Sequence, residues 1–223
     1  MAFGMNTPRR INALFCAATI IFLGGCATPK PHSNIPSDAT APTPADVRQC
    51  EEITLRVMSC HAYGAPITFT GTVSGGAMTI AQAAADFSKD NDSWRREIYG
   101  PPLRDLILRG CNAPTGSYGW INYDWVFETQ DSIPNAENMT VVIGPGSTQG
   151  KLVIVPVRIE SPGGTLDGRK QQWVFGRVQG RWKVCDFLSD GGFGTREQSF
   201  ARFLEKEFQR QDKWEERHSG NGP

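Results

Sequence analysis

The sequence predicts an α+β domain: N-terminal helices packed on a curved antiparallel sheet, with a C-terminal amphipathic helix. Three observations point there. Apolar residues recur at helical spacing between Thr79 and Gly110, and again from Phe200 to Phe208. Between these stretches, after Cys111, the chain turns to short runs of aromatic and β-branched residues parted by Gly, Pro, Asn and Asp, which is strand texture. Composition agrees, because 24 Gly and 15 Pro are many for a helical bundle whereas 12 Phe and 6 Trp can fill a core. With 39% apolar and 21% charged residues, the 223-residue chain lies outside the disordered class.

Taken in order, Asp46 is placed to cap a first helix running to about Met58, although Ile53 to Val57 alternates in a way that equally suits a strand. Thr79 caps a second helix in which Ile80, Ala83, Ala84 and Phe87 form one apolar stripe. Pro101 and Pro102 suit the first turn of a third, where a missing N–H costs little. Leu103, Leu106 and Ile107 share its inner face and Gly110 ends it. Strands are expected at 120–127, 139–143, 151–159, 171–178 and 181–187, with short links that imply antiparallel neighbours. Gln179-Gly180 reads as a two-residue hairpin turn. Val153, Val155, Val157 and Ile159 share one face, as do Trp182 and Val184. Pro156 has no N–H for a ladder, which predicts an edge strand or a bulge. Thr195 and Gln198 have capping-box spacing before the last helix. Its Phe200, Phe203, Leu204 and Phe208 face the sheet while Arg202, Glu205, Lys206 and Arg210 face water. The domain is thus expected at 46–218, with 219–223 a disordered tail.

The amino terminus carries Arg9 and Arg10 with no acid, then an apolar run from Ile11 to Leu23, then Gly24-Gly25-Cys26. That run is far short of the ~20 residues a permanent transmembrane helix needs, and its flanks are those of an export signal. Leu23-Gly24-Gly25-Cys26 resembles the lipobox of bacterial lipoproteins, which implies cleavage after residue 25 and diacylation of Cys26. Two or three acyl chains bury dozens of methylenes at ~0.8 kcal/mol each, enough for an essentially permanent anchor. Ala27 rather than Asp after the Cys resembles the outer-membrane-directed type. Residues 26–45 read as a lipidated Cys and a Pro-rich tether, since Thr28 to Pro44 holds five prolines and almost no large apolar residue.

With the signal removed, 21 basic residues face 23 acidic ones, interspersed along the chain, so no basic stripe is available for nucleic acid. Cys50, Cys60, Cys111 and Cys185 remain, an even number in an oxidising compartment, and two disulfides of open connectivity are expected. A Cys50 to Cys60 bridge would require the first helix to end before Cys60, because ten helical residues span ~15 Å against the ~7 Å limit for bridging. No C-x-x-C pair exists and the His residues are scattered, so no metal site is expected. Gly144 to Lys151 imitates a phosphate loop but has Pro145 and Leu152 where Gly and Ser or Thr are required.

The aromatic segment ending Phe127-Glu128-Thr129-Gln130-Asp131, the hairpin ending Arg181-Trp182-Lys183-Val184-Cys185-Asp186, and the short loop into a terminal amphipathic helix resemble a family of bacterial lipoproteins and periplasmic proteins. That family has the nuclear transport factor two-like fold, and the resemblance covers residues 119–208. It implies a cone of sheet wrapped on helices and brings no activity of its own. Enzymes of the broader fold use a carboxylate beside Tyr or His in the cone mouth, which makes Tyr123, Asp124, Trp125, Asp131, Trp173 and Asp186 the possible cleft. No motif specifies a nucleophile, metal cage or acid/base pair, so the expectation is a non-enzymatic binding domain without cofactor, anchored in the envelope and facing the periplasm. Its partner would be an envelope protein or a small ligand. The alternatives are an immunity lipoprotein that neutralises a delivered toxin, and a small cone-fold enzyme with a carboxylate base.

Overall fold

The computed structural model describes residues 31, 34–38, 40–86, 91–111, 125–127, 133–193 and 198–219. Its first helix, α1 (Pro44–His61), is capped by Thr43 and not by Asp46. The Thr43 side chain accepts from the Asp46 N–H, and the Asp46 carboxylate accepts from the Thr43 N–H at 2.8 Å, which closes a capping box three residues earlier than the sequence predicts. The alternation at 53–57 yields to helix because Cys50, Thr54, Val57 and Met58 fall on one inward face.

Asp46 also accepts from Trp182 Nε1 at 2.7 Å. The indole first, then the Thr43 hydroxyl and N–H, hold its carboxyl down to about 2 from an ordinary 3.8. A depressed carboxylate stabilises the fold fully above its unfolded value and stops doing so as pH falls through its folded value. The Asp46→Asn variant is therefore expected to show a flatter loss of stability than wild type between pH 3.8 and about 2, measured by denaturant melts across that window. Equal slopes would remove this role.

β1 (Thr68–Gly71) and β2 (Gly75–Gly76) follow, and α2 (Ile80–Asp86) starts at the expected Thr79 cap, closed by Gln82. The two described side chains of the stripe expected on α2 divide, and the Ala84 side chain lies outside the described atoms. Ala83 is buried, but Ile80 is 59% exposed and lies beside Gly64 at the surface. Phe87 lies outside the described residues. α3 (Asn91–Ile98) has only two buried apolar residues, Trp94 and Ile98, in an otherwise polar octet, which hides it from a periodicity search. α4 (Leu103–Cys111) buries Leu103, Ile107 and Leu108 and continues through Gly110.

β3 (Thr140–Ile143), β4 (Ser147–Gln149), β5 (Leu152–Glu160), β6 (Lys170–Val178) and β7 (Arg181–Ser189) complete a sheet of order β2-β1-β3-β5-β6-β7, with β4 also on β5. Among the described strands only β1 and β3 pair in parallel. Gly71, at φ +113°, lets β1 pass so close to β3 that a Cβ would stand 2.0 Å from the Ile143 carbonyl oxygen. Trp125–Phe127, expected at the end of a strand, form a turn, while 120–124 lie outside the described residues.

β5 is neither an edge nor bulged at Pro156. That residue sits at the gap where the β4 pairing with Leu152–Ile154 ends and the β3 pairing with Val157–Glu160 begins, so its missing N–H interrupts no ladder. Its carbonyl accepts from Gly144 N–H at 2.9 Å. Val153, Val155, Val157 and Ile159 are buried on one face as expected. The β6–β7 hairpin turns through Gln179 and Gly180, both at positive φ (+51° and +74°). The bulge lies on β7 instead: Phe175 pairs with Val184 and Val174 with Asp186, which leaves Cys185 as the extra residue.

α5 (Phe200–Ser219) buries Phe200, Phe203, Leu204 and Phe208 as expected. It is capped by Ser199, whose Oγ accepts from Arg202 N–H at 3.2 Å, and Thr195 lies outside the described residues. Arg109 of α4 lies 4.4 Å from the Phe208 ring centre and pairs with Asp212, tying α4 to α5.

The described part of the Pro-rich segment lies against the sheet instead of standing off it. Asp38 N–H donates to Arg177 O (3.0 Å), Gly180 N–H donates to Asp38 Oδ2 (3.3 Å), and Ser37 Oγ donates to Lys151 O (3.2 Å). Arg202 Nη2 holds Pro31 O at 3.1 Å. Gly176 makes room: a Cβ there would meet Pro36 O at 2.6 Å and Ile35 Cγ2 at 3.1 Å.

Candidate functional site

Of the possible cleft residues, Trp125, Trp173 and Asp186 are described, and all three are packed. Tyr123, Asp124 and Asp131 lie outside the described residues. Trp173 is fully buried and stacks on Phe187 at 5.5 Å. Phe187 lies 4.7 Å from Phe200, Phe200 stacks on Trp125 at 5.6 Å, and Trp125 meets His61 edge-on at 5.3 Å. His61 continues to Trp94, and Trp94 to Tyr99. Seven rings thus run in unbroken contact from β6 to the α3–α4 junction, at centroid spacings where offset and edge-to-face pairs are favourable. This column packs between the sheet and the helices.

The polar groups beside the column are tied into structure. Trp173 Nε1 donates to Gln171 Oε1 (3.2 Å), and Gln171 Nε2 donates to Val126 O (2.7 Å), which pins the 125–127 turn to β6. Asp186 is fully buried. Its Oδ2 accepts from Ser199 Oγ (2.7 Å) and its Oδ1 from Ala201 N–H (3.1 Å), so the carboxylate faces the N-terminus of α5, where the helix dipole favours negative charge. It holds the start of α5. Glu51, 5% exposed, accepts from Gly146 N–H (2.8 Å) and fixes the β3–β4 link to α1. Lys183 donates to Glu97 O (3.0 Å) and to Arg96 O at the end of α3, and burial pushes its pKa below the ordinary lysine range.

Among the described residues no disulfide joins the cysteines expected to pair. Cys50, Cys60 and Cys185 are buried thiols, and the Cys111 side chain lies outside the described atoms. α1 runs past Cys60 to His61, which removes the one condition under which Cys50 and Cys60 could meet. Cys60 Sγ instead contacts Met78 Sδ at 3.3 Å. Cys185, the bulge residue, lies under Gly100 and Gly176 and donates to Lys183 O at 3.5 Å. Burial pushes the Cys185 thiol up to about 12 and that of Cys50 well above its ordinary value, so neither is a nucleophile near neutral pH.

Among the described residues no group of three or more His, Cys, Asp or Glu could hold a metal ion, and no helix is long and apolar enough to cross a membrane. Motif reading missed Glu51, Lys183 and Trp94, because each acts through a backbone group or ring that is distant in sequence. No protein-family model and no curated protein matches the chain.

Proposed function

We propose that this chain is a lipid-anchored cell-envelope protein whose α+β domain binds a protein or small ligand without chemistry. The observation that carries the reading is Leu23-Gly24-Gly25-Cys26 at the end of a charged-then-apolar leader. The packed aromatic column and the structural use of Asp186 support recognition by an outer surface over turnover in an enclosed pocket. The finer architecture we propose is the nuclear transport factor two-like cone. The Cys185 bulge supports it, since an extra residue bends a strand and sharpens its twist.

Cys26→Ser is expected to abolish incorporation of labelled palmitate and to move the protein from the membrane to the soluble fraction. Equal labelling of wild type and variant, or none in wild type, would sink the reading.

A further inference from the structure

We propose that residues 34–38 form a releasable cover over the Cys185 thiol, so that Cys185 enters thiol–disulfide exchange when that segment lifts while the rest of the domain stays folded. The proposal does not depend on acylation of Cys26.

Cys185 differs from Cys50 and Cys60 in where it is buried. Those two belong to the core between sheet and helices, to which β6 and β7 contribute Trp173, Phe175, Val184 and Phe187. Val174 and Leu188 are buried as well, but they alternate with these residues and so lie on the opposite face of the sheet. By the same alternation a side chain at Gly176 would point to that face. The three atoms nearest to the place of its Cβ are Pro36 O at 2.6 Å, Cys185 Sγ at 3.1 Å and Ile35 Cγ2 at 3.1 Å. Segment and thiol therefore meet across the space that this glycine leaves empty. On its other flank the sulfur stands 2.8 Å from the place of a Gly100 Cβ, beside Lys183 and Val178.

The cover is lightly held. Asn34, Pro36 and Asp38 are exposed, and Ile35 and Ser37 are half-buried, so lifting the segment gives up little apolar contact. Ser37 bonds Lys151 O, and Asp38 bonds Gly180 N–H, at the exposed surface where water can replace them. Segments with few buried contacts and solvent-exposed hydrogen bonds open at a free energy well below that of global unfolding. Burial does most to raise the Cys185 thiol, against a hydrogen bond to the Gly176 backbone, so lifting the cover relieves the larger influence and favours the thiolate. That thiolate attacks one sulfur of a low-molecular-weight disulfide. The S–S bond breaks, a mixed disulfide forms on Cys185, and the departing thiolate takes up the proton that Cys185 released.

The test treats the reduced full chain with dithiodipyridine and follows each cysteine peptide by mass spectrometry, at several urea concentrations below the unfolding transition. Cys50, fully buried on α1, is the reference for opening of the core. Cys185 is expected to react at least about tenfold faster than Cys50 and with little dependence on urea, whereas the Cys50 rate should climb steeply with urea, as exposure of the core demands. Ser37→Ala/Asp38→Ala should raise the ratio of the Cys185 rate to the Cys50 rate several-fold further, and the ratio cancels any general loss of stability. Equal rates with equal urea dependence at the two cysteines would show that Cys185 opens only with the core. An unchanged ratio in the variant would show that another part of the chain shields the thiol. Either result overturns the proposal.

Discussion

The Trp173→Ala variant is expected to lose about 4 kcal/mol of stability, a large share of the roughly 5–15 kcal/mol that holds a typical domain. The indole is fully buried and stacked on Phe187, at one end of the aromatic column. Truncation leaves a ring-sized void that the sheet cannot close, and it strips Gln171 Oε1 of its donor, so the amide that holds Val126 loses its orientation. Trp173→Phe keeps the ring and removes only the N–H, with an expected cost of about 1–2 kcal/mol. Denaturant midpoints at constant slope measure both. A loss below about 1 kcal/mol for the Ala variant would mean that Trp173 lines an open space, and would return it to the cleft that the resemblance implied.

Asp186 carries the second large effect. Asp186→Ala leaves Ser199 Oγ and the Ala201 N–H without their acceptor inside the protein, at the point where α5 leaves the sheet. The expected cost is about 3 kcal/mol, because hydrogen bonds to a buried charge rank among the stronger ones and their donors cannot reach water. Asp186→Asn keeps one acceptor for Ala201 and lets the amide donate to the Ser199 hydroxyl, so it should recover about half of the loss. Hydrogen exchange localises the effect: protection should fall first in the opening turns of α5, Phe200 to Leu204. An unchanged α5 would show that the carboxylate does not hold the helix.

Much of the fold was legible along the chain. The alternation of Val153 to Ile159, the Gln179-Gly180 turn, the Thr79 cap and the stripe of Phe200 to Phe208 are local signals, set by side-chain period and by backbone conformations that few residues adopt. The misplaced features share a cause. Pro156 signalled an edge or bulge because a missing N–H is visible in sequence, whereas the gap between β3 and β4 that accommodates it is not. Asp186 was a cleft candidate because its partners Ser199 and Ala201, 13 and 15 residues further on, come from the following helix and are not visible from its neighbours in sequence.

The sequence by itself determined the α+β order of elements and the inward faces of β5 and α5, and it carries the Leu23-Gly24-Gly25-Cys26 run on which the proposed envelope reading rests, since each depends on residues a few places apart. Only the tertiary structure decided that the aromatic residues join in one packed column, that Asp186 serves a helix end, and that the Pro-rich segment is strapped to the sheet. Those outcomes depend on groups brought together from outside any local window, 13 residues apart for Asp186 with Ser199 and 114 for Ser37 with Lys151. Pro-rich composition reports only that a segment cannot form a core of its own; whether it finds one to lie on is decided by the surface that the rest of the chain builds.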